Sequence, residues 1–118
     1  LLKHLDAKCP REDARLVAVT DVDLFTPILS FLFGQAYLGG KTAIISGYRL
    51  RNERYGLPRD DQLFKTRLIK GVIHELGHSM GLKHCIDPDC VMVAATYVED
   101  VDQKGSHYCS SCRRELGL

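Results

Sequence analysis

No apolar run in this 118-residue chain approaches the roughly 20 residues needed to span a bilayer. The longest lies near Pro27 to Phe33 and is far shorter. A surplus of either charge is missing too: 16 Lys and Arg against 15 Asp and Glu leave a net charge of +1. No long-range field therefore favours nucleic acid or an anionic membrane. Internal repeats and low-complexity tracts are also missing. The chain opens at Leu1 without a methionine or a charged-then-apolar leader, and so reads as a fragment or processed product. Five cysteines are an odd number, which argues against a pure disulfide framework and turns attention to their spacing. The length suits one domain able to bury roughly two-thirds of its unfolded surface. The expectation is a single domain over 1–118, soluble, cytoplasmic and monomeric.

LVAVT, Leu16 to Thr20, is a short β-branched run that suits a buried strand. A second apolar run covers Phe31 to Tyr37; Gly39-Gly40 punctuates it before TAIIS, Thr42 to Ser46, again strand-like. This is the pattern of a hairpin or of neighbouring strands joined by a tight turn. Arg49 to Asp61 is polar and basic with Gly56 and Pro58, a surface loop whose arginines are expected to be merely solvated. Asp60 or Asp61 then caps a long helix reaching about Met80, along which Leu68, Ile69, Val72, Ile73, Leu76 and Met80 recur at helical spacing. Gly71 and Gly77 inside that helix cost about 1 kcal/mol each relative to alanine, which is understandable if a strand or ligand approaches closely. Residues 85 to 112 read as loop, with a short helical turn between Cys109 and Leu116.

The end of the long helix reads HELGHSMGLKHC, residues 74 to 85. His74 and His78, four apart, project from one helical face about a turn apart, where two imidazoles can share a zinc ion. Glu75 beside them can take a proton from a water on the open coordination position. Gly81 permits a left-handed turn that can swing His84 back to the same ion. By residue frequencies, these five fixed positions arise by chance in roughly one chain of this length in a few hundred thousand. Imidazole ligands with an open position favour zinc, although spacing alone leaves other divalent transition metals open.

Cys85 and Cys90, then Cys109 and Cys112, form two pairs that suit the two knuckles of a four-thiolate zinc site. Two disulfides or unrelated free thiols are the alternatives. Adjacent residues of an extended segment point opposite ways, so His84 can face one ion while Cys85 faces a second. Two Zn2+ per chain are expected, one catalytic and one structural. Cys9, His4 and His107 lack a partner pattern and read as surface or packing residues.

The extended histidine motif resembles that of the metzincin metallopeptidases, whose further mark is a methionine turn below the metal; Met92 is the candidate. With the CVM of Cys90 to Met92, the CSSC of Cys109 to Cys112 and VTDVDLFTPILSFLFGQAYLGGKTAIIS upstream, the chain resembles the archaemetzincins from roughly Leu16 onward. The resemblance implies an α+β, zincin-like fold: a mixed twisted sheet, an active-site helix and a C-terminal four-cysteine zinc subdomain. The family's N-terminal strand and helix are not evident. It also implies an antiparallel edge strand over the cleft, offered by Phe33, Gly34, Gln35 and Ala36, to which an extended peptide could add. Ala94 stands where astacin-type metzincins place a tyrosine ligand, so no such ligand is expected.

The leading functional expectation is a zinc-dependent peptidase, aminopeptidase-like on the family resemblance, acting on peptides or proteins, with Glu75 as general base. The alternative is a zinc-bound peptide-binding or scaffold protein with little or no turnover. A nucleic-acid-binding zinc module is disfavoured by the balanced charge and by the lack of basic and aromatic interleaving near Cys109 to Cys112.

Overall fold

The computed structural model describes residues 14–25 and 31–118. His4, Cys9 and part of the longest apolar run lie outside the described residues. Three strands, β1 (Leu16–Thr20), β2 (Gly34–Ala36) and β3 (Thr42–Ser46), form a mixed sheet in the order β1-β3-β2. Strand β3 runs parallel to β1, with Leu16 opposite Thr42 and Thr20 opposite Ser46. It runs antiparallel to β2, with Gly34 opposite Ile45 and Ala36 opposite Ala43. Its central place explains its composition. All five of its residues are buried, as a near-continuous β-branched segment covered on both faces should be.

The expected hairpin is the β2/β3 pair, turned at Gly39, whose φ of 71° is open to glycine at no steric cost. The strand is shorter than the apolar run suggests: regular pairing covers only Gly34–Ala36, with Leu32 forming a lone bridge to Leu24. Phe33 nonetheless joins the sheet, its carbonyl accepting from Ser46 N at 2.8 Å.

Helix α1 (Asp61–Ser79) is capped by Asp60, whose Oδ1 accepts from Leu63 N at 3.0 Å. It lies against β3 and β2. The close approaches implied by its glycines are present: a Cβ on Gly71 would collide with the Ile45 side chain of β3, and one on Gly77 with Met92. The buried face differs from the apolar periodicity. Arg67, Lys70, His74, Glu75, Gly77 and Ser79 are its buried residues, whereas Ile69 is 54% exposed. The helix turns its polar stripe inward because that stripe serves the cleft and the C-terminal segment rather than an oily core.

Two further helices follow, α2 (Val98–Gln103) and α3 (Ser110–Glu115). Helix α2 interrupts a stretch expected to be loop. It buries Val98 and Val101 with Leu50 and is held by two cations of α1. The Arg67 guanidinium forms a two-bond fork with Asp102 at 2.8 and 2.7 Å and also donates to Leu50 O and Asn52 Oδ1. Lys70 Nζ donates to the Val101 carbonyl at 3.0 Å, near the end of α2, where a cation is favourable. A second buried cluster joins Leu82, Cys90, Val91, Met92 and Cys112.

The arginines of the 49–61 segment are not merely solvated, because Asp21 and Asp23 give them partners. Arg49 forks onto Asp23 at 3.0 and 2.8 Å and stacks over Phe31, and Arg51 lies over Phe64 within reach of Asp21. A 3-10 turn, Asn52–Tyr55, adds local order to this loop. No helix among the described residues is long and apolar enough to cross a membrane.

Candidate metal centre

Helix α1 carries His74 and His78 on one face, with their Nε2 atoms 3.1 Å apart. The chain leaves the helix through Gly81, whose φ of 101° reverses it, and Leu82 N closes onto Gly77 O at 2.9 Å. His84 is thereby returned to the pair, its ring centroid 5.4 Å from that of His74 and 4.9 Å from that of His78. One ligand nitrogen from each of the three imidazoles lies within 4.8 Å of the others.

The outward ring nitrogens are tied to the backbone. His74 Nδ1 meets Val91 O at 2.8 Å, and His78 Nδ1 meets Leu82 O at 2.7 Å. When those nitrogens carry the protons, Nε2 is left as a lone pair facing the common point, the arrangement found behind metal-binding histidines. Burial, helped by the Lys104 ammonium, pushes His74 down to about 3, so its imidazole stays neutral and able to ligate. His84 is lowered too, first by burial and then by His78.

Glu75 faces β2. Gly34 makes room for it: a Cβ there would lie 2.7 Å from Ile44 O and 3.0 Å from Glu75 Cγ. Glu75 Oε2 is buried without a hydrogen-bond partner, and burial raises the carboxyl to about 7, with Lys104 opposing the rise. These groups open on a cleft of about 460 Å³, bordered by Phe31 to Ala36 on one side and by Ala94 to Tyr97 on the other. Phe33, Gly34, Gln35 and Ala36 therefore line the cleft, and β2 is the edge of the sheet among the described residues.

The four cysteines gather separately. Cys85 Sγ lies 3.7 Å from Cys109 Sγ, and Cys90 Sγ lies 3.8 Å from Cys112 Sγ. A disulfide requires about 2.05 Å, and all four are free thiols. A tetrahedral zinc with sulfur at about 2.3 Å instead sets neighbouring sulfurs about 3.8 Å apart. The donor set fits such an ion. Cys90 Sγ also accepts from Met92 N and Cys109 N, both at 3.4 Å. The backbone N–H of Cys112 draws Cys109 down to about 7, while burial pushes the Cys112 thiol up. The imidazoles fit a zinc as well: bonds of about 2.0–2.1 Å set tetrahedral nitrogens roughly 3.3 Å apart, against 3.1 Å between His74 and His78, with a His84 nitrogen within 4.8 Å of both.

Met92 is fully buried beneath α1 against Gly77, and its carbonyl accepts from Cys85 N at 3.0 Å. Tyr108 packs on the same glycine and donates to Ile73 O at 2.7 Å, which docks the cysteine segment on the helix. His107 is exposed and belongs to neither cluster. Tyr97 borders the cleft and is 62% exposed. Lys104 escaped the sequence reading. It is buried, with Nζ 2.8 Å from Val93 O and 3.2 Å from His74 Nδ1. Nothing in its local sequence marks it, since its burial depends on α2 docking against α1.

An HExxH helix packed on a mixed sheet, with a third histidine returned by a glycine turn over a buried methionine, defines a zincin-type site. Residues 13–117 match the model of Peptidase family M54, and the chain belongs to that family, the archaemetzincins. It is 46% identical over 100 residues to the archaemetzincin of Pyrococcus horikoshii, which covers 85% of this chain and 53% of that protein. It is 44% identical over 107 residues to that of Methanocaldococcus jannaschii, covering 91% and 60%. Among solved structures, a zinc-dependent peptidase from Methanocorpusculum labreanum superposes with a TM-score of 0.86 at 36% identity, over 96% of this chain and 59% of the other. The Methanopyrus kandleri archaemetzincin gives 0.83 at 35%, over 99% and 63%. The chain thus spans a little over half the length of the curated relatives it matches.

Proposed function

We propose that this chain forms the catalytic core of a zinc metallopeptidase, with zinc on His74, His78 and His84 and Glu75 as the general base. The observation that carries the reading is the pairing of three converging imidazoles with a carboxylate oxygen, Glu75 Oε2, that is buried at the same cleft and lacks a partner. A bound zinc supplies a Lewis acid that acidifies water and polarises a peptide carbonyl. Glu75 takes the proton from that water at Oε2 and returns it to the leaving amine. Gly34 lets the edge strand approach Glu75, so an extended peptide paired with β2 brings its scissile bond near both the base and the metal. Cys85, Cys90, Cys109 and Cys112 hold a second, structural zinc that fastens Met92 and the 90–93 turn below His74. The family resemblance extends this to an aminopeptidase-like action.

The test is a peptide-library digest with zinc-loaded full-length protein. Glu75→Ala should keep two zinc ions and lose cleavage by several orders of magnitude. Chelator-sensitive cleavage that survives in the metal-replete variant would remove Glu75 from the mechanism. Its complete absence in the parent protein would favour a peptide-binding role.

A further inference from the structure

Among the described residues, the cleft holds one carboxylate, Glu75, and two cations, Arg67 and Lys104. Arg67 is spent: its guanidinium bonds Asp102 twice, Leu50 O and Asn52 Oδ1. Lys104 is not. It is only 5% exposed and is in no ion pair among the described residues, although the Glu75, Cys90 and Asp100 charges act on it from a distance. Of its three N–H donors, one is committed to Val93 O. The contact with His74 Nδ1 is not a second bond when that nitrogen donates to Val91 O, as metal binding through Nε2 requires. A buried ammonium with unspent donors gains from an anion placed on them, and Lys104 borders both the cleft and a smaller hollow lined by Asp89 and Asp100.

We propose that Lys104 is a specificity-determining residue of the peptidase site, receiving a carboxylate of the bound peptide. The ammonium lies one imidazole ring beyond the point where the three histidine nitrogens converge. The carboxylate in question is one carried by the residue next to the scissile bond, on an acidic side chain or at a free C-terminus. Among the described residues the one carboxylate of the cleft is Glu75, the base, and Lys104 is the cation with donors to spare, so a carboxylate of the substrate has a partner there. The inference rests on the metallopeptidase reading for where the peptide lies, although its test reads binding rather than turnover.

The probes are alanine hexapeptides with blocked ends carrying one aspartate at each position in turn, the matching asparagine peptides, and an alanine hexapeptide with a free C-terminal carboxylate. Binding is measured to zinc-loaded full-length protein carrying Glu75→Gln, which prevents turnover. At least one aspartate peptide, or the free-acid peptide, should bind tenfold or more tightly than its neutral counterpart, and which of them does so distinguishes the two carboxylate sources. Lys104→Met should collapse that ratio toward one, and Lys104→Arg should preserve it. A ratio near one in the parent needs no folded variant to sink the proposal. A ratio unchanged by Lys104→Met, or equal loss of both affinities in that variant, would also overturn it, as would failure to bind any probe. Carboxylate discrimination without chelator-sensitive cleavage by the Glu75 protein would leave Lys104 in place and remove the hydrolase reading; cleavage without discrimination would do the reverse.

Discussion

His84 and Cys85 are consecutive in the chain yet belong to different clusters: the imidazole joins His74 and His78, and the thiol lies 3.7 Å from Cys109 Sγ. The two neighbouring side chains thus leave the backbone toward different clusters, and Cys85 N is fixed to Met92 O at 3.0 Å. The two clusters are therefore mechanically joined through one peptide bond and one hydrogen bond. Whatever loosens the sulfur cluster reaches the third histidine directly.

That coupling is testable from the cysteine side. Cys90→Ser removes a buried sulfur that accepts two backbone N–H bonds. The variant should lose one zinc equivalent and much of its thermal stability, since structural zinc contributes folding energy outright. It should also bind zinc at the histidines more weakly than the parent, read by competition with a chromogenic chelator. Unchanged affinity at the histidines would show that the clusters are independent.

Gly77 and Met92 offer a second test. Alanine in a helix interior is normally favoured over glycine by about 1 kcal/mol. At Gly77 its Cβ would collide with the fully buried Met92 and crowd Tyr108, and overpacking costs about 1–3 kcal/mol. Gly77→Ala should therefore destabilise the parent, yet stabilise a Met92→Ala background. A denaturation cycle over the four proteins reads this reversal of sign directly.

The docking of α2 rests on Arg67 and Asp102. Arg67 is 4% exposed, and removing one partner of a buried ion pair costs roughly 3–5 kcal/mol. Asp102 is partly solvated, so Asp102→Ala should fall at or below the low end, about 2–3 kcal/mol. Adding Arg67→Met should recover part of the loss, because it removes the stranded cation. Urea melts of the single and double variants check the order.

Burial of Glu75 has a pH signature. Its folded carboxyl titrates at about 7 against an ordinary 4.5. Below the ordinary value both states hold the proton, and Glu75 has no effect on stability. As pH rises toward 7 the unfolded chain releases its proton first, so the unpaired carboxyl progressively disfavours folding, by up to about 3 kcal/mol. In a His78→Ala background, which cannot assemble the three-imidazole set, Glu75→Gln should therefore become increasingly stabilising between pH 4.5 and 7. A difference that stays constant over that window would contradict the assignment.

The long helix and both clusters were legible in the sequence because their determinants are local or strictly spaced. Asp60 caps, Gly81 reverses, and His74, His78 and His84 follow one helical turn and one glycine turn. Helix α2 was not. With six residues and only Val98 and Val101 as apolar markers, it owes its place to Arg67 and Lys70, some 30 residues away. The same distance hid the partners of Arg49 and Arg51, and it hid Lys104 entirely. The inward polar face of α1 misled the periodicity argument for a related reason: a helix that builds a site buries the residues of the site.

Diffraction from crystals of the zinc-loaded protein, collected on either side of the zinc absorption edge, tests the central claim most directly. Two anomalous peaks are expected, one between the imidazoles of His74, His78 and His84 and one enclosed by the sulfurs of Cys85, Cys90, Cys109 and Cys112. A single peak, none at the imidazoles, or sulfurs joined in pairs would contradict the account.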